Sequence, residues 1–101
     1  MAKILFSGDM GASMVEDASK PLENFAAHIP KMKAFHQRYM CANKVIRLWV
    51  NMVRQMDVEM IVPQHGTAFV GKEQINQFLD WIETLECGVD LMDESVFTCP
   101  T

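Results

Sequence analysis

Two short apolar runs in this chain each end at a glycine that stands next to a side chain able to bind a metal ion. The run ILFSGD at 4–9 ends in Asp9, and the run MIVPQHG at 60–66 contains His65. A carboxylate can bridge two cations, and an imidazole suits zinc or iron. Each residue alone is also typical of an ordinary loop, where aspartate hydrogen-bonds to nearby backbone N–H groups. The pair therefore indicates a metal site only if folding brings both residues together.

The elements around the two runs favour such a convergence. Residues 3–8 and 58–62 are predicted strands, and an amphipathic helix is predicted over 42–56 between them. A strand, a helix and a second strand in this order favour a parallel pair with a right-handed crossover. Parallel strands end at the same edge of a sheet, so we expect Asp9 and His65 to lie close together there.

Further helices are predicted on either side of the central one. Residues 10–20 are a predicted loop, and a short helix over 21–28, starting at Ser19 and Pro21, should be interrupted by Pro30. A second helix should run from Lys31, with Met32, Phe35 and Tyr39 on one face. The apolar face predicted for the helix over 42–56 comprises Val45, Trp49, Met52, Val53 and Met56.

The last third of the chain predicts a loop, a helix and a tail. The loop covers 63–71 and the helix 72–86, with Gly88 as its C-terminal stop. The tail, 89–101, should cover a sheet edge or fray. The apolar face predicted for the helix over 72–86 comprises Ile75, Phe78, Leu79, Ile82 and Leu85.

The bulk composition excludes several classes of protein. The 101 residues carry a formal net charge of -4, and half of them are hydrophobic. This composition predicts a packed domain rather than a disordered chain, and it argues against a nucleic-acid partner. The apolar stretches are too short to span a membrane, and no secretion signal is recognisable. Three widely spaced cysteines, Cys41, Cys87 and Cys99, are expected to be reduced thiols, with Cys99 exposed, in a cytoplasmic protein.

The two runs together resemble the carboxyl-terminal half of a metallo-β-lactamase-fold domain. LFSGD at 5–9 is similar to the strand of flavodiiron and oxygen-binding diiron proteins that supplies a metal-bridging aspartate. MIVPQHG at 60–66 is similar to their strand ending in P-x-H-G, which supplies the last histidine ligand. The resemblance covers about residues 4–85. It implies a partial αββα fold, an α/β half-domain of β-α-β-α order, with Asp9 as the bridging ligand and His65 as a terminal ligand.

The sequence departs from that family in one respect. The amino-terminal half of the fold normally carries an H-x-[EH]-x-D-H cluster and a further histidine, and these motifs do not occur in this sequence. His28 and His36 lack the required spacing, and we expect them to be surface or capping residues. Residues 1–101 are therefore interpreted as a single partial domain with no catalytic residues beyond the two ligands, inactive alone.

Three functions remain open on this basis. The first is part of a dinuclear iron domain that binds dioxygen in redox chemistry or sensing, without support for a flavin. The second is part of a zinc-dependent hydrolase of the same superfamily, which would use the same Asp9 and His65. The third is a metal-free α/β interaction module, since an unpaired sheet edge favours association. The expected partner is either a complementing amino-terminal half or a second copy of the chain.

Overall fold

The computed structural model describes residues 3–20, 22–96 and 99, which form the mixed α/β fold that the sequence predicts. Among these residues, no helix has the length and apolar character needed to cross a membrane. The elements are β1 (Ile4–Gly8), α1 (Phe25–Tyr39), α2 (Asn43–Gln55), β2 (Met60–Pro63), β3 (Phe69–Val70) and α3 (Gly71–Ile82), followed by 3₁₀ turns at Gly88–Leu91 and Glu94–Val96.

The sheet contains the predicted parallel pair and one additional strand. β1 pairs in parallel with β2, and the register joins Ile4 to Met60 and Gly8 to Pro63. β3 pairs with the other side of β2 in antiparallel orientation. The sequence predicts a loop over 63–71, and this prediction is wrong at Phe69–Val70, which form β3. A strand of two residues is too short to show the alternation by which strands are recognised.

The helices cover one face of this sheet and leave the other exposed. Successive side chains of a strand point to opposite faces, and Ile61 of β2 is fully buried against the helices. The opposite face includes Ile4 and Phe6, and the Phe6 side chain is 76% exposed. We call this surface the open sheet face. It consists of Ile4, Phe6, Met60 and Val62.

The core lies between the covered sheet face and the three helices. At its centre the rings of Phe69 and Phe78 stack, with centroids 4.5 Å apart. α3 presents the predicted apolar face to this core, but the helix ends at Ile82 instead of continuing to residue 86. The buried α3 side, which matches the prediction, consists of Ile75, Phe78, Leu79 and Ile82, followed by Leu85 in the next turn.

α2 has the predicted position along the chain, but the predicted face was wrong. The buried side chains are Ile46, Val50 and Val53. Val45 and Met52 are more than half exposed, although both belong to the predicted face. α2 carries apolar residues on two sides, and helical periodicity cannot decide which side meets the core. Of the predicted face, Val53 is buried, Trp49 is half-buried, and Val45, Met52 and Met56 are exposed.

α1 is a single helix, so the predicted interruption at Pro30 was also wrong. It starts after Asn24, whose Oδ1 accepts a hydrogen bond of 3.2 Å from the N–H of Ala27, rather than at Ser19. The predicted start at Pro21 lies outside the described residues. Pro30 is on the exposed side of the helix, where its ring meets solvent. Burial on the opposite side offsets the one backbone hydrogen bond that proline cannot make.

The buried side of α1 also differs from the prediction. Tyr39 is exposed and Phe35 only half-buried, so they do not form the core-facing stripe with Met32. Residues spaced by four lie on one helix face. The residues of α1 that are buried at this spacing are His28, Met32 and His36.

The chain after α3 returns to the helices rather than to the sheet. Gly88 does not end α3; it begins a 3₁₀ turn with a φ of +54°. The N–H of Val89 donates a 2.9 Å hydrogen bond to the carbonyl of Cys41, which holds this turn beside the end of α1. The described part of the tail therefore does not cover a sheet edge. Residues 97, 98, 100 and 101 of the predicted tail lie outside the described residues.

Candidate metal-binding edge

The parallel strands end side by side, which places the two candidate ligands at the same edge of the sheet. Gly8 pairs with Pro63 at the last position of the register. The N–H of Gln64 then donates a 2.7 Å hydrogen bond to the carbonyl of Gly8. Asp9 follows Gly8 directly, and His65 follows Gln64 directly. The convergence that the sequence predicts is therefore present in the backbone.

Asp9 is held in a tight turn by backbone groups. The N–H of Met10 donates to the carbonyl of Ser7 (3.2 Å), and the Ser7 hydroxyl donates to the carbonyl of Met10 (2.6 Å). The carbonyl of Asp9 accepts from the N–H of Ala12 at 3.0 Å. The Asp9 side chain is exposed, and it makes no hydrogen bond to any residue that the structure describes. The turn thus fixes the backbone of Asp9 and leaves its carboxylate open to a ligand.

The His65 loop is tied to the Asp9 loop through Ser13. The N–H of Ser13 donates to the carbonyl of His65, and the N–H of Thr67 donates to the Ser13 hydroxyl, both at 3.2 Å. Gly66 between them has a φ of +108°, and a Cβ atom there would lie 2.6 Å from the Ser13 nitrogen. Only glycine allows this close approach of the two loops without strain.

The imidazole of His65 is also accessible. Its ring is exposed and lines an open cleft of about 550 Å³ that the segment from Ser13 to Ala18 borders. Like the Asp9 carboxylate, the ring makes no hydrogen bond within the described part of the chain. Neither side chain therefore has a hydrogen-bond partner among the described residues that would compete with a metal ion.

His36 lies directly behind the Asp9 loop, and the expectation that it is a surface or capping residue was wrong. Its side chain is completely buried. Nε2 accepts a 2.9 Å hydrogen bond from the N–H of Gly11, so the proton of the neutral ring is on Nδ1, which donates to the carbonyl of Met32 at 2.8 Å. Burial lowers the pKa of His36, and the Met32 hydrogen bond and the Asp9 charge oppose that shift only in part.

His28 is also buried, so the prediction of a surface or capping residue is wrong here too. It is 4% exposed, and its ring meets the edge of Phe69 with centroids 6.0 Å apart. Its buried Nε2 atom has no hydrogen-bond partner among the described residues. Burial lowers the pKa of His28, and the positive charge of Lys31 lowers it further. The spacing of His28, Met32 and His36 was the one signal in the sequence that could have revealed both burials.

The donor set at this edge fits part of a metal site. Asp9 and His65 supply a carboxylate and an imidazole, which suit iron and zinc. Within the described ranges, no group of three or more histidine, cysteine, aspartate or glutamate side chains is placed to hold a metal ion. Catalytic zinc sites use three protein ligands, and a dinuclear site needs more. The described residues therefore bring two candidate ligands to one edge, and a catalytic or dinuclear site would need further ligands.

Comparison with known proteins places this edge in a family. The model of the family described as "ODP family beta lactamase" matches residues 1–66, a segment that includes both Asp9 and His65. A search of curated proteins finds no match.

Two similar solved structures are the "Peroxy diiron species of chemotaxis sensor ODP" (44% identity, TM-score 0.82) and the "Apo state of chemotaxis sensor ODP from T. denticola" (46% identity, TM-score 0.81). Each similarity covers 93% of this chain and 39% of the solved chain, so these 101 residues span well under half of either relative. The matches support a partial α/β fold and a metallo-β-lactamase-like relationship. With a family model matching about two thirds of its length, the chain belongs to the ODP family of β-lactamase-like proteins.

Proposed function

We propose that this chain is the carboxyl-terminal part of a diiron oxygen-binding sensor domain, in which Asp9 bridges two iron ions and His65 is a terminal ligand to one. One observation carries the proposal. The carboxylate and the imidazole stand at the ends of adjacent parallel strands, exposed and without hydrogen bonds to the described residues. A solved relative at 44% identity contains a peroxy diiron species.

The remaining ligands would come from a further polypeptide segment that packs against the open sheet face. Parallel strands are normally covered on both faces, and here Ile4 and Phe6 are exposed. The similarity covers only 39% of each solved relative, so more than half of each relative's length is left to cover that face. A second copy of the chain could also cover the face, but it would bring only another Asp9 and His65.

The chemistry that iron supplies when bound is reversible or redox reaction with dioxygen, and the residues of this chain hold and orient the metal. Alone, the two ligands would bind a single ion weakly, so we infer that the isolated chain is inactive. The iron assignment is preferred to zinc because the solved relative is a diiron protein. We infer a sensor domain, because the two solved relatives are chemotaxis sensors.

The proposal is tested by mixing the chain with the separately expressed amino-terminal remainder of T. denticola ODP under anaerobic conditions with Fe²⁺. We expect a complex that retains two irons after dialysis and whose near-ultraviolet absorbance changes when oxygen is added. Asp9→Ala and His65→Ala should lose the iron. Asp57→Ala is the matched control. The Asp57 carboxylate pairs with Lys72. Asp57 precedes β2 and so lies at the end of that strand opposite to His65.

Other outcomes would contradict specific parts of the proposal. Full iron retention by Asp9→Ala and His65→Ala would show that these two residues are not iron ligands. Two tightly held irons in the isolated chain would show that no further segment is needed. A complex that forms equally well without iron and never retains it would favour the metal-free interaction module, for which the open sheet face is the supporting observation.

A further inference from the structure

We propose that His36 is a positioning residue that sets the location of Asp9 relative to His65. Its Nε2 atom accepts the hydrogen bond of the Gly11 N–H, two residues after Asp9. This inference rests on the proposed metal-binding role of Asp9 and His65. It concerns a residue that would not touch the metal.

The His36 hydrogen bond is the link between the Asp9 loop and the helical layer. Gly11 is buried, with a φ of +92°, and a Cβ atom there would meet the ring of Phe69 at 2.9 Å. Its N–H therefore has no access to water, and the imidazole satisfies it. A buried N–H group without an acceptor costs about 1–3 kcal/mol, so loss of this acceptor would displace the loop.

The imidazole is itself fixed in position. Nδ1 donates to the carbonyl of Met32 within the same helix. The ring meets Phe35 and Trp81 edge-on, with centroid distances of 5.5 Å and 6.1 Å. The hydrogen bond and the two aromatic contacts leave Nε2 pointing at Gly11. The Asp9 loop is thus held in place by a hydrogen bond to a fixed side chain of α1.

The opposite end of the same loop is bonded to the His65 loop. Ser13 donates its N–H to the carbonyl of His65 and accepts from the N–H of Thr67. The segment from Asp9 to Ser13 is therefore held by His36 on the helix side and by His65 on the strand side. Because metal affinity depends on ligand spacing, the acceptor on His36 should affect metal binding without contacting the ion.

The test uses the full 101-residue chain, with Co²⁺ as the probe, in NMR titrations of the wild type, His36→Gln and His36→Phe. Glutamine can present an acceptor at the position of Nε2, whereas phenylalanine keeps the ring shape and removes the acceptor. We expect His36→Gln to stay within about threefold of the wild-type affinity and His36→Phe to bind about 10- to 100-fold more weakly. The ¹⁵N spectrum of wild-type His36 should show an unprotonated Nε2.

Amide hydrogen exchange supplies a readout that needs no metal. In His36→Phe the amides of Ala12 and Ser13 should exchange faster than in His36→Gln, while amides in α3 remain unchanged. Equal affinities and equal exchange in the two variants would overturn the inference. A protonated Nε2 in the wild type would overturn it as well.

Two controls keep the conclusion separate from folding and from the proposed function. If His36→Phe does not fold, Ser13→Ala takes its place, because it removes the hydroxyl that accepts the hydrogen bond of the Thr67 N–H at the other end of the loop. We expect the same loss of Co²⁺ affinity in this variant. Ser19→Ala, in an exposed turn, is the matched control. Unchanged Co²⁺ affinity in Ser13→Ala would count against the inference. If the wild type binds Co²⁺ and that binding survives Asp9→Ala, the proposed ligand role of Asp9 fails. If the isolated chain binds no Co²⁺, the iron-loaded complex with the amino-terminal segment decides the proposed function. In both cases amide exchange and the His36 tautomer alone decide the role of His36.

Discussion

Acidification from pH 7.5 to 5.5 should lower the free energy of unfolding of this chain, because two buried histidines resist protonation in the folded state. Burial lowers the pKa of both His36 and His28. For His36, protonation of Nε2 would also break the hydrogen bond from Gly11. The unfolded chain therefore binds more protons than the folded chain below the ordinary histidine pKa, and stability must fall as the pH falls.

The size of the effect follows from this difference in proton binding. The unfolded-state pKa of histidine is about 6.5. One histidine that stays neutral in the folded state therefore lowers the free energy of unfolding by about 1.4 kcal/mol when the pH falls from 7.5 to 5.5. Two such residues give an upper limit of about 2.8 kcal/mol over the same interval. The carboxylates whose pKa is lowered, such as Asp57 and Asp90, lose their contribution only at lower pH, so they do not affect this window.

Urea unfolding followed by tryptophan fluorescence at pH 7.5, 6.5 and 5.5 measures the effect directly. His36→Gln should remove about half of the pH dependence, and the additional change His28→Phe should remove most of the rest. His65→Ala serves as the control because that ring is exposed. Constant stability across the three pH values, or an undiminished slope in the double variant, would refute the assignment of two neutral buried histidines.

Three further predictions concern packing and backbone geometry. His28→Leu should raise the free energy of unfolding by about 1 kcal/mol at pH 7.5, because it removes a buried nitrogen without a hydrogen-bond partner; a loss of stability in urea unfolding would contradict this. Phe78→Ala should cost about 3–5 kcal/mol, because it removes a fully buried ring stacked on Phe69, and calorimetry should show a clearly lower Tm. Gly66→Ala should destabilise the chain more than Gly71→Ala, since both have positive φ but only Gly66 is pressed against Ser13; equal urea midpoints would refute the close-approach argument.

The parts of the fold that the sequence predicts are those with a strong local pattern. The apolar runs at β1 and β2 and the stripe on α3 are long enough to identify their elements, and the parallel pairing follows from their order. Which side of α2 faces the core could not be predicted, because apolar residues occur on two of its sides. The continuity of α1 through Pro30 depends on tertiary burial of the opposite helix face, which no local rule contains.

The same division applies to the site. The convergence of Asp9 and His65 could be predicted because it needs only parallel strands and backbone geometry. The role of His36 could not, since its contact with Gly11 joins residues that are 25 positions apart, and a histidine in a helix reads as polar. Its spacing from Met32 could have indicated burial, but its aromatic neighbours on α1 and α3 meet only in the folded chain.

The contact between His36 and Trp81 also gives this protein an intrinsic optical probe. The indole lies edge-on to the imidazole that holds the Asp9 loop, so a movement of that loop changes the surroundings of a fluorophore. The other tryptophan, Trp49, packs against Phe78, and its replacement by phenylalanine would leave a single emitter. Movement of the Asp9 loop could then be followed in real time by Trp81 fluorescence, without attaching a dye.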